Sequence, residues 1–318
     1  MKMFHTTIKT HQMHKFYPGS HEAEMCYGGE ADLHRHVLGC KKNPGHKDFI
    51  PLKDFCRHHL PPRYHDDDLL VETVKAQAAI TVQIKTKFTS LVRPEFYPGT
   101  QVSYPCHADR GSHVIRMATG RVYGIVKYTQ SDTTCQCMEC QVSDTPSTVW
   151  GEVYVMTSTH VVFDESEARR TRCVFGFDDT ASSVVNLDGW NISSADVERD
   201  WCVLKRVTCD LKFLNELDTM WRRFDYLRGK VKNKYWNLSD VDKLTIIVSH
   251  PHGCPKQVSV GQWTHRYVRD GLTKYTYTTC TCPGSSGSTV YANGLNGWLS
   301  HLHCGSSVQG NYSAEMWC

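Results

Sequence analysis

"WGEVYVMTSTHVVF", residues 150–163, is an apolar, β-rich run that carries a histidine, His160, close to its end. Similar short runs, separated by turns, fill the chain from about residue 98 onward. They lie at 120–129, 171–177, 200–207, 244–250, 256–265, 272–280, 288–294 and 296–303. So many short strands without alternating helices favour antiparallel barrels or a sandwich. The sequence therefore predicts a mostly β domain over residues 98–318.

Two segments have helical spacing instead. After the acidic triplet at 66–68, apolar residues recur at helical intervals from Leu70 to Leu91, which predicts a helix that Pro94 ends. A second apolar stripe, from Leu214 to Val231, predicts a core-facing helix inserted among the strands. Residues 1–65 are rich in His, Cys, Pro and Gly and show no period. We expect residues 1–97 to be an N-terminal extension with one helix.

Composition excludes several classes of function. The 318 residues are 40% hydrophobic and carry a formal charge of +3 that is dispersed along the chain. This pattern requires no nucleic-acid partner and no membrane surface. There is no run of 18 apolar residues for a membrane span, and the first residues lack the apolar core of a secretory signal. We therefore expect a cytoplasmic protein whose fifteen cysteines are reduced thiols. The sequence does not indicate an oligomeric state.

"TCPGSSGSTV", residues 281–290, is the Gly/Ser-rich stretch that bears on chemistry. Alone, such a cluster is typical of a polar turn. It does not fit a phosphate cradle, because no Lys-Ser/Thr pair and no helix pattern follows it. A nucleophile loop would need a base, an acid that orients the base, and donors for an oxyanion. His160 at the end of one apolar run and Asp200 directly before another supply the first two.

The order His, Asp, Ser and the residues around each resemble the chymotrypsin-fold (trypsin-like) serine peptidases, of which this chain would be a divergent member. The matching motifs are Thr157-Ser158-Thr159-His160, Asp200-Trp201-Cys202-Val203-Leu204-Lys205 and Gly284-Ser285-Ser286-Gly287-Ser288. The resemblance covers residues 98–318 and implies a double antiparallel β-barrel that hydrolyses protein or peptide substrates without a cofactor. It implies that Ser286 is the nucleophile, His160 the general base and Asp200 the residue that orients it.

The choice among the three serines follows from the oxyanion hole. In this family the donors are the backbone N–H groups of the nucleophile and of the residue two positions before it. Ser286 would use its own N–H and that of Gly284, whose missing side chain allows close approach. Ser285 would need the N–H of Pro283, which has none. Ser288 would lack a glycine two positions earlier.

Two further expectations concern the substrate. His303 and Gly305 resemble the His-x-Gly of glutamyl endopeptidases and chymotrypsin-fold viral proteases, which implies Glu or Gln before the scissile bond; a core histidine is the alternative. Ser285 stands where secreted relatives carry the Asp that pairs with a newly freed N-terminus. We therefore expect a protein that is competent as synthesised, with residues 1–97 acting as an arm and not as an activation peptide.

Cysteine and histidine clusters leave other interpretations open. Cys135, Cys137 and Cys140 have zinc-ligand spacing, with Cys173 as a conceivable fourth ligand, although free thiols in a hairpin are the preferred interpretation and no metal is expected. His250 and His252 flank Pro251 and are interpreted as a turn. The alternative functions are an inactive homologue that binds proteins and, more remotely, a zinc-stabilised scaffold built on the His/Cys-rich extension.

Overall fold

The computed structural model describes residues 19–129, 133–238, 242–269, 272–293 and 301–315. Its helices are α1 Asp32–Leu38, α2 Asp68–Ile80, α3 Met138–Gln141, α4 Glu165–Ala168 and α5 Leu211–Tyr235. Its strands are β1 Gly19–His21, β2 Glu24–Cys26, β3 Ile50–Pro51, β4 Thr81–Thr86, β5 Ile115–Tyr128, β6 Trp150–Thr157, β7 Thr171–Phe175, β8 Val185–Asp188, β9 Asn191–Asp196, β10 Trp201–Thr208, β11 Leu244–Ser249, β12 Gln257–Arg269, β13 Leu272–Tyr277, β14 Val290–Ala292, β15 His301–Ser307 and β16 Gly310–Glu315.

The strands form two antiparallel sheets. The first has the order β8-β7-β4-β5-β6-β10-β9, and β2 pairs with β5 beside it. The second has the order β1-β15-β16-β13-β12-β11-β14, and β3 pairs with β12. Every predicted run overlaps a strand, although residues 296–300 of the last run lie outside the described residues. The prediction of a mostly β fold of antiparallel strands, with one helix inserted among them, is confirmed.

The helix expected to continue to Pro94 is shorter than predicted. It ends at Ile80, and the chain enters β4 without a loop. The helical spacing was misleading because Val82 and Ile84 are both fully buried in a strand that lies between β7 and β5. Their β-branched side chains favour the pleated conformation over the helix. The first sheet therefore takes in residues that precede position 98.

The predicted second helix is present as α5, and its apolar stripe faces the core. Leu214, Leu217, Phe224 and Val231 are buried in the main hydrophobic cluster, which also includes residues of α2 and of both sheets. Each such side chain stabilises the fold by about 1.5–3 kcal/mol relative to exposure. The helix thus packs on α2 and on strands β5 and β6 of the first sheet.

The helices and the cysteines bear on membrane insertion and on disulfide bonding. None of the helices within the described residues combines the length and apolar character needed to cross a bilayer. The cysteines in the same part of the chain are free thiols.

Candidate active site

His160 and Asp200 are brought together by the pairing of β6 with β10. The register sets Thr157 opposite Cys202, so the residues just after β6 meet the residue just before β10. His160 Nδ1 donates to Asp200 Oδ2 over 2.7 Å. The other carboxylate oxygen accepts from the backbone N–H of His160 at 2.9 Å and from the Thr159 hydroxyl at 3.0 Å. Because the carboxylate only accepts, it fixes the proton of this imidazole on Nδ1.

The Asp200 carboxyl is buried and ionised. Burial by itself would raise its pKa, but electrostatic interaction and hydrogen bonding with His160 and His21 outweigh burial and hold the pKa well below its usual range. Its backbone adopts a left-handed conformation, with φ of 55°. Such a conformation is uncommon outside glycine and concentrates at functional sites.

Ser286 comes from the loop between β13 and β14 of the second sheet and is anchored on the first sheet. Thr119 in β5 donates its N–H to the Ser286 carbonyl at 2.9 Å and its hydroxyl to the Gly284 carbonyl at 2.8 Å. Gly287 has φ of 82°, and a Cβ there would lie 2.4 Å from the Thr119 carbonyl oxygen. The loop can approach β5 this closely only because that position is glycine.

The three serines of the loop have different surroundings. Ser286 Oγ donates to the carbonyl oxygen of Glu22 at 2.5 Å. The Ser285 hydroxyl points away, to the Ser249 hydroxyl at 3.1 Å, and Ser288 Oγ is buried without a hydrogen-bond partner among the described residues. Within the same residues, no hydrogen bond uses the backbone N–H of Gly284 or of Ser286. The two donors proposed for an oxyanion hole are therefore available.

A segment of the N-terminal extension lies in the cleft between the sheets. Strand β1 pairs with β15, and β2 pairs with β5, so the chain crosses from one sheet to the other at Glu22 and Ala23. The Glu22 carbonyl oxygen is 3.2 Å from His160 Nε2 and also accepts the Ser286 hydroxyl. The sequence analysis missed this placement, since nothing in residues 19–26 signals pairing with strands that follow far along the chain. Because this segment occupies the cleft, its placement is evidence against the expectation of a protein that is competent as synthesised.

The Glu22 side chain enters a pocket that contains His303. The two groups are 3.4 Å apart, between Glu22 Oε2 and His303 Nε2. The Lys42 ammonium contacts the other oxygen of the carboxylate and donates to the Thr281 hydroxyl at 3.0 Å. Although burial would raise it, the pKa of Glu22 falls to about 2 because these donors stabilise the carboxylate. Lys42 is a pocket residue that sequence reasoning did not find.

His303 is uncharged in this pocket, because burial lowers its pKa more than Glu22 raises it. A neutral imidazole can meet a carboxylate only through a protonated nitrogen, so Nε2 carries the proton. Nδ1 then accepts from the Tyr277 hydroxyl at 2.7 Å. Gly305, the second predicted pocket residue, lies where β1 passes, and a Cβ on it would be 2.0 Å from the Ser20 carbonyl oxygen.

His21, which precedes Glu22 in the segment that lies in the cleft, contacts both His160 and Asp200. Its ring packs edge-on against His160, with 4.9 Å between centroids, and its Nε2 is 3.5 Å from Asp200 Oδ2. Burial lowers the pKa of His21 despite the nearby carboxylate, so it is a neutral neighbour of the catalytic candidates. The side chain shields the His160–Asp200 pair from water.

The backbone that carries His160 is held by a buried ion cluster. Glu167 accepts from Arg93 and Arg116, and all three side chains are at most 1% exposed. Arg93 also donates to the His160 carbonyl oxygen at 3.1 Å, and Arg116 donates to that of Val161 at 3.3 Å. The cluster therefore couples the position of His160 to the core.

We expect Glu167→Gln to lower the free energy of unfolding by about 3–5 kcal/mol, since it leaves two buried guanidinium groups without a counter-charge. Urea denaturation of the purified protein measures this loss. The matched control is Asp188→Asn, which removes the partner of the more exposed Arg172 and is expected to cost under about 1 kcal/mol. Equal, small losses in both variants would contradict the assigned role of the cluster.

Among the groups of side chains with the composition of metal ligands, two have four members each. Cys135, Cys137 and Cys140 gather with Cys209, and the suggestion of Cys173 as fourth ligand is wrong. Cys173 lies on β7 and is buried in the main hydrophobic core. The second group joins His252 to the set Cys40, His46 and Cys282, so this histidine is more than a turn residue. Its partners are distant in the sequence, which is why no third ligand was apparent there.

Solved structures of serine proteases resemble this chain at a distance. The HtrA-type protease AlgW with tripeptide matches with a TM-score of 0.39 and 13% identity, over 77% of this chain and 58% of that one. The Rv3671c protease from M. tuberculosis, in its active form, matches with a TM-score of 0.39 and 13% identity, over 78% of this chain and 82% of that one. The serine endoprotease from Yersinia pestis matches with a TM-score of 0.39 and 13% identity, over 80% and 63%.

This chain therefore spans about three fifths of the AlgW and Yersinia pestis chains that it matches. No protein-family model and no curated protein matches the chain. At this identity and TM-score the matches do not show what this chain does.

Proposed function

We propose that the protein is a serine endopeptidase that hydrolyses peptide bonds after glutamate or glutamine. The observation that carries the proposal is a peptide carbonyl, that of Glu22, whose oxygen accepts from Ser286 Oγ and lies 3.2 Å from His160 Nε2. A nucleophile, a base oriented by a carboxylate, and two free backbone donors near one carbonyl are the groups that acyl transfer requires.

In the proposed reaction Ser286 Oγ attacks the substrate carbonyl carbon while His160 takes the hydroxyl proton. Asp200 keeps the imidazole in the tautomer that can accept this proton and stabilises the imidazolium that results. The N–H groups of Gly284 and Ser286 receive the oxyanion. His160 then protonates the leaving amine, and water hydrolyses the acyl-enzyme.

The expected preference for glutamate rests on the two donors that meet the Glu22 carboxylate. His303 Nε2 offers a neutral donor, which suits a carboxylate or an amide oxygen equally. The Lys42 ammonium adds a charge, and a charge-assisted hydrogen bond is the stronger kind. The preference for glutamate over glutamine should therefore equal the contribution of the Lys42 ammonium to binding the substrate carboxylate.

We expect Lys42→Met to lower kcat/KM for a peptide with Glu before the scissile bond by about 10- to 100-fold, the loss of one charge-assisted hydrogen bond. The matching Gln peptide should change less than about threefold, because it does not use the charge. Lys41→Met is the control, since it removes a neighbouring positive charge outside the pocket. Equal losses on both peptides would show that Lys42 supports structure instead of specificity.

The activity itself is tested by labelling with a fluorophosphonate, which reacts with an activated serine. A chain that begins at Ala23 leaves the cleft open and keeps Lys42. We expect one label per chain on Ser286, retained in Ser288→Ala and lost in His160→Ala. If the chain stays unlabelled although it binds peptide, the alternative of an inactive, protein-binding homologue would be favoured.

A further inference from the structure

Resting on the proposed activity, we propose that the protein cuts its own chain in cis at the Glu22–Ala23 peptide bond. Residues 19–26 would then be its first substrate, and the released product would end at Glu22. The juxtaposition of this bond with Ser286 and His160 within one chain is the basis of the proposal.

The backbone on both sides of the bond is held as a substrate would be. Before the bond, Gly19–His21 pair antiparallel with Gly305–Ser307, and the Glu22 N–H donates to the Cys304 carbonyl at 3.1 Å. After the bond, Glu24–Cys26 pair with Ile115–Met117 of β5. Strand pairing on both sides fixes the register, so that one peptide bond meets the nucleophile.

The side chain before the bond fills the specificity pocket. The Glu22 carboxylate meets His303 and Lys42, and the backbone of Ser20 approaches β15 at the one position where glycine makes room. A segment that lay in the cleft by chance would not be expected to place a glutamate against two donors that bind a carboxylate. The segment therefore has the properties of a substrate in backbone register and in side chain.

The reaction balances with water as the co-reactant. A small rotation turns the Glu22 carbonyl oxygen from the Ser286 hydroxyl to the free N–H groups of Gly284 and Ser286. Oγ then bonds to the carbonyl carbon, the C–N bond to Ala23 breaks, and the serine proton passes through His160 to the new Ala23 amine. Water adds to the ester, which releases the Glu22 carboxylate and restores the Ser286 hydroxyl.

Intact-mass measurement of the purified full-length chain tests the proposal. We expect the wild-type chain to be found as residues 23–318, and the Ser286→Ala and His160→Ala chains to remain whole. Glu22→Lys should slow the conversion at least about 100-fold, because it sets a positive charge against Lys42. Glu30→Gln, an exposed residue in the same extension, should convert at the wild-type rate.

Two results would overturn self-cleavage. One is a wild-type chain that stays whole; labelling of the chain that begins at Ala23 then shows separately whether the peptidase activity exists. The other is a conversion whose rate constant rises with protein concentration, because reaction within one chain is first order. If the whole chain persists and the open chain is labelled, residues 19–26 are a permanent inhibitory strap.

Independently, we propose that the protein binds two structural zinc ions, one at the set Cys40, His46, His252 and Cys282, and one at the set Cys135, Cys137, Cys140 and Cys209. In each set the four donor atoms lie within 4.8 Å of one another. Closed sets of four sulfur and imidazole ligands are the usual form of a structural zinc site.

The first site, named the extension site, joins the N-terminal extension to the catalytic loop. Cys282 Sγ lies 3.5 Å from Cys40 Sγ and 3.5 Å from His46 Nε2. Two sulfurs in a tetrahedral zinc site are about 3.8 Å apart, whereas a disulfide would need about 2.05 Å. The spacing therefore fits a shared metal ion.

The histidine of the extension site is oriented as a zinc ligand would be. His252 Nδ1 is bound by the Glu24 carboxylate at 2.5 Å, which leaves Nε2 to the metal. This Nε2 is buried without a hydrogen-bond partner among the described residues. A carboxylate on the far nitrogen of a metal-binding histidine is the usual outer contact, and it accounts for a polar atom that would otherwise be costly to bury.

The second site, named the thiol site, has the same spacing. Cys209 Sγ lies 3.8 Å from Cys137 Sγ and 3.7 Å from Cys140 Sγ. Backbone N–H groups of Cys137 and Ser147 donate to the sulfur atoms of Cys135 and Cys140. The site ties the hairpin after β5 to the end of β10.

Metal analysis of the purified full-length chain tests the zinc proposal. We expect two zinc ions per chain, and one per chain in either Cys40→Ser or Cys209→Ser. Cys209→His, which keeps a ligand, should retain two, and Cys280→Ser, close to the extension site but outside it, should also retain two. Replacing Zn²⁺ with Co²⁺ should give the visible absorption of tetrahedral cobalt–thiolate sites. A wild-type chain without bound zinc, or without that absorption after Co²⁺ addition, would overturn the proposal.

Discussion

Ser286→Ala is expected to lower kcat for a peptide with Glu before the scissile bond by roughly 10⁵- to 10⁶-fold. The change removes the atom that forms the acyl-enzyme, and the remaining groups of the site cannot replace it. KM should change little, because the pocket formed by His303 and Lys42 is untouched. The measurement is the steady-state hydrolysis of that peptide by the chain that begins at Ala23.

The matched control for this loss is Ser288→Ala in the same loop. Its hydroxyl is buried and unpartnered among the described residues, so its removal should leave kcat within about threefold of the wild-type value. Loss of the same size in both variants would mean that the loop had been disrupted, and the assignment of the nucleophile to Ser286 would fail.

Asp200→Asn should lower kcat by about 10⁴-fold. An amide can offer its NH₂ group to His160 Nδ1, which favours the tautomer with the proton on Nε2, where it cannot accept from Ser286. The fold should survive, because the amide oxygen can still accept from Thr159. Hydrolysis rates and urea denaturation, measured on the same sample, separate the loss of activity from any loss of stability.

Asp196→Asn is the corresponding control, since Asp196, the last residue of β9, is a carboxylate close in sequence that accepts from the backbone N–H of Arg199. Its kcat should stay within about twofold of the wild-type value. If Asp196→Asn lowers kcat as much as Asp200→Asn does, His160 is not oriented by one specific carboxylate, and the proposed mechanism would need a different acid.

The parts of the site that sequence reasoning found are those set by local pattern. His160 and Asp200 each adjoin an apolar run, and the pairing of those two runs is enough to bring them together. Ser286 could be predicted because proline lacks an N–H and glycine, without a side chain, allows close approach, which are properties of single residues. Such features are visible in the sequence because they depend on few neighbours.

The parts that it missed depend on contacts between distant segments. Cys40 and Cys282 are brought together only when the extension folds back over the second sheet. Cys209 replaces Cys173 as a neighbour of the C-x-C-x-x-C segment because β10 ends beside the hairpin, while β7 carries Cys173 into the core. Helical spacing also failed at Ile84, because it lies in a strand that is buried on both faces, where apolar residues need not alternate.

Lys42 belongs to the same chain segment as the bond that the pocket receives, twenty positions downstream of Glu22. The extension thus both occupies the cleft, through residues 19–26, and lines its pocket, through Lys42. A shortened protein that starts at residue 98 would lose Lys42 together with β4, an interior strand of the first sheet, whereas one that starts at Ala23 would open the cleft and keep both. Under the proposed mechanism, the length of chain between Ala23 and Lys42 sets where the Lys42 ammonium lies. Insertions there should lower the preference for glutamate over glutamine without changing the reactivity of Ser286.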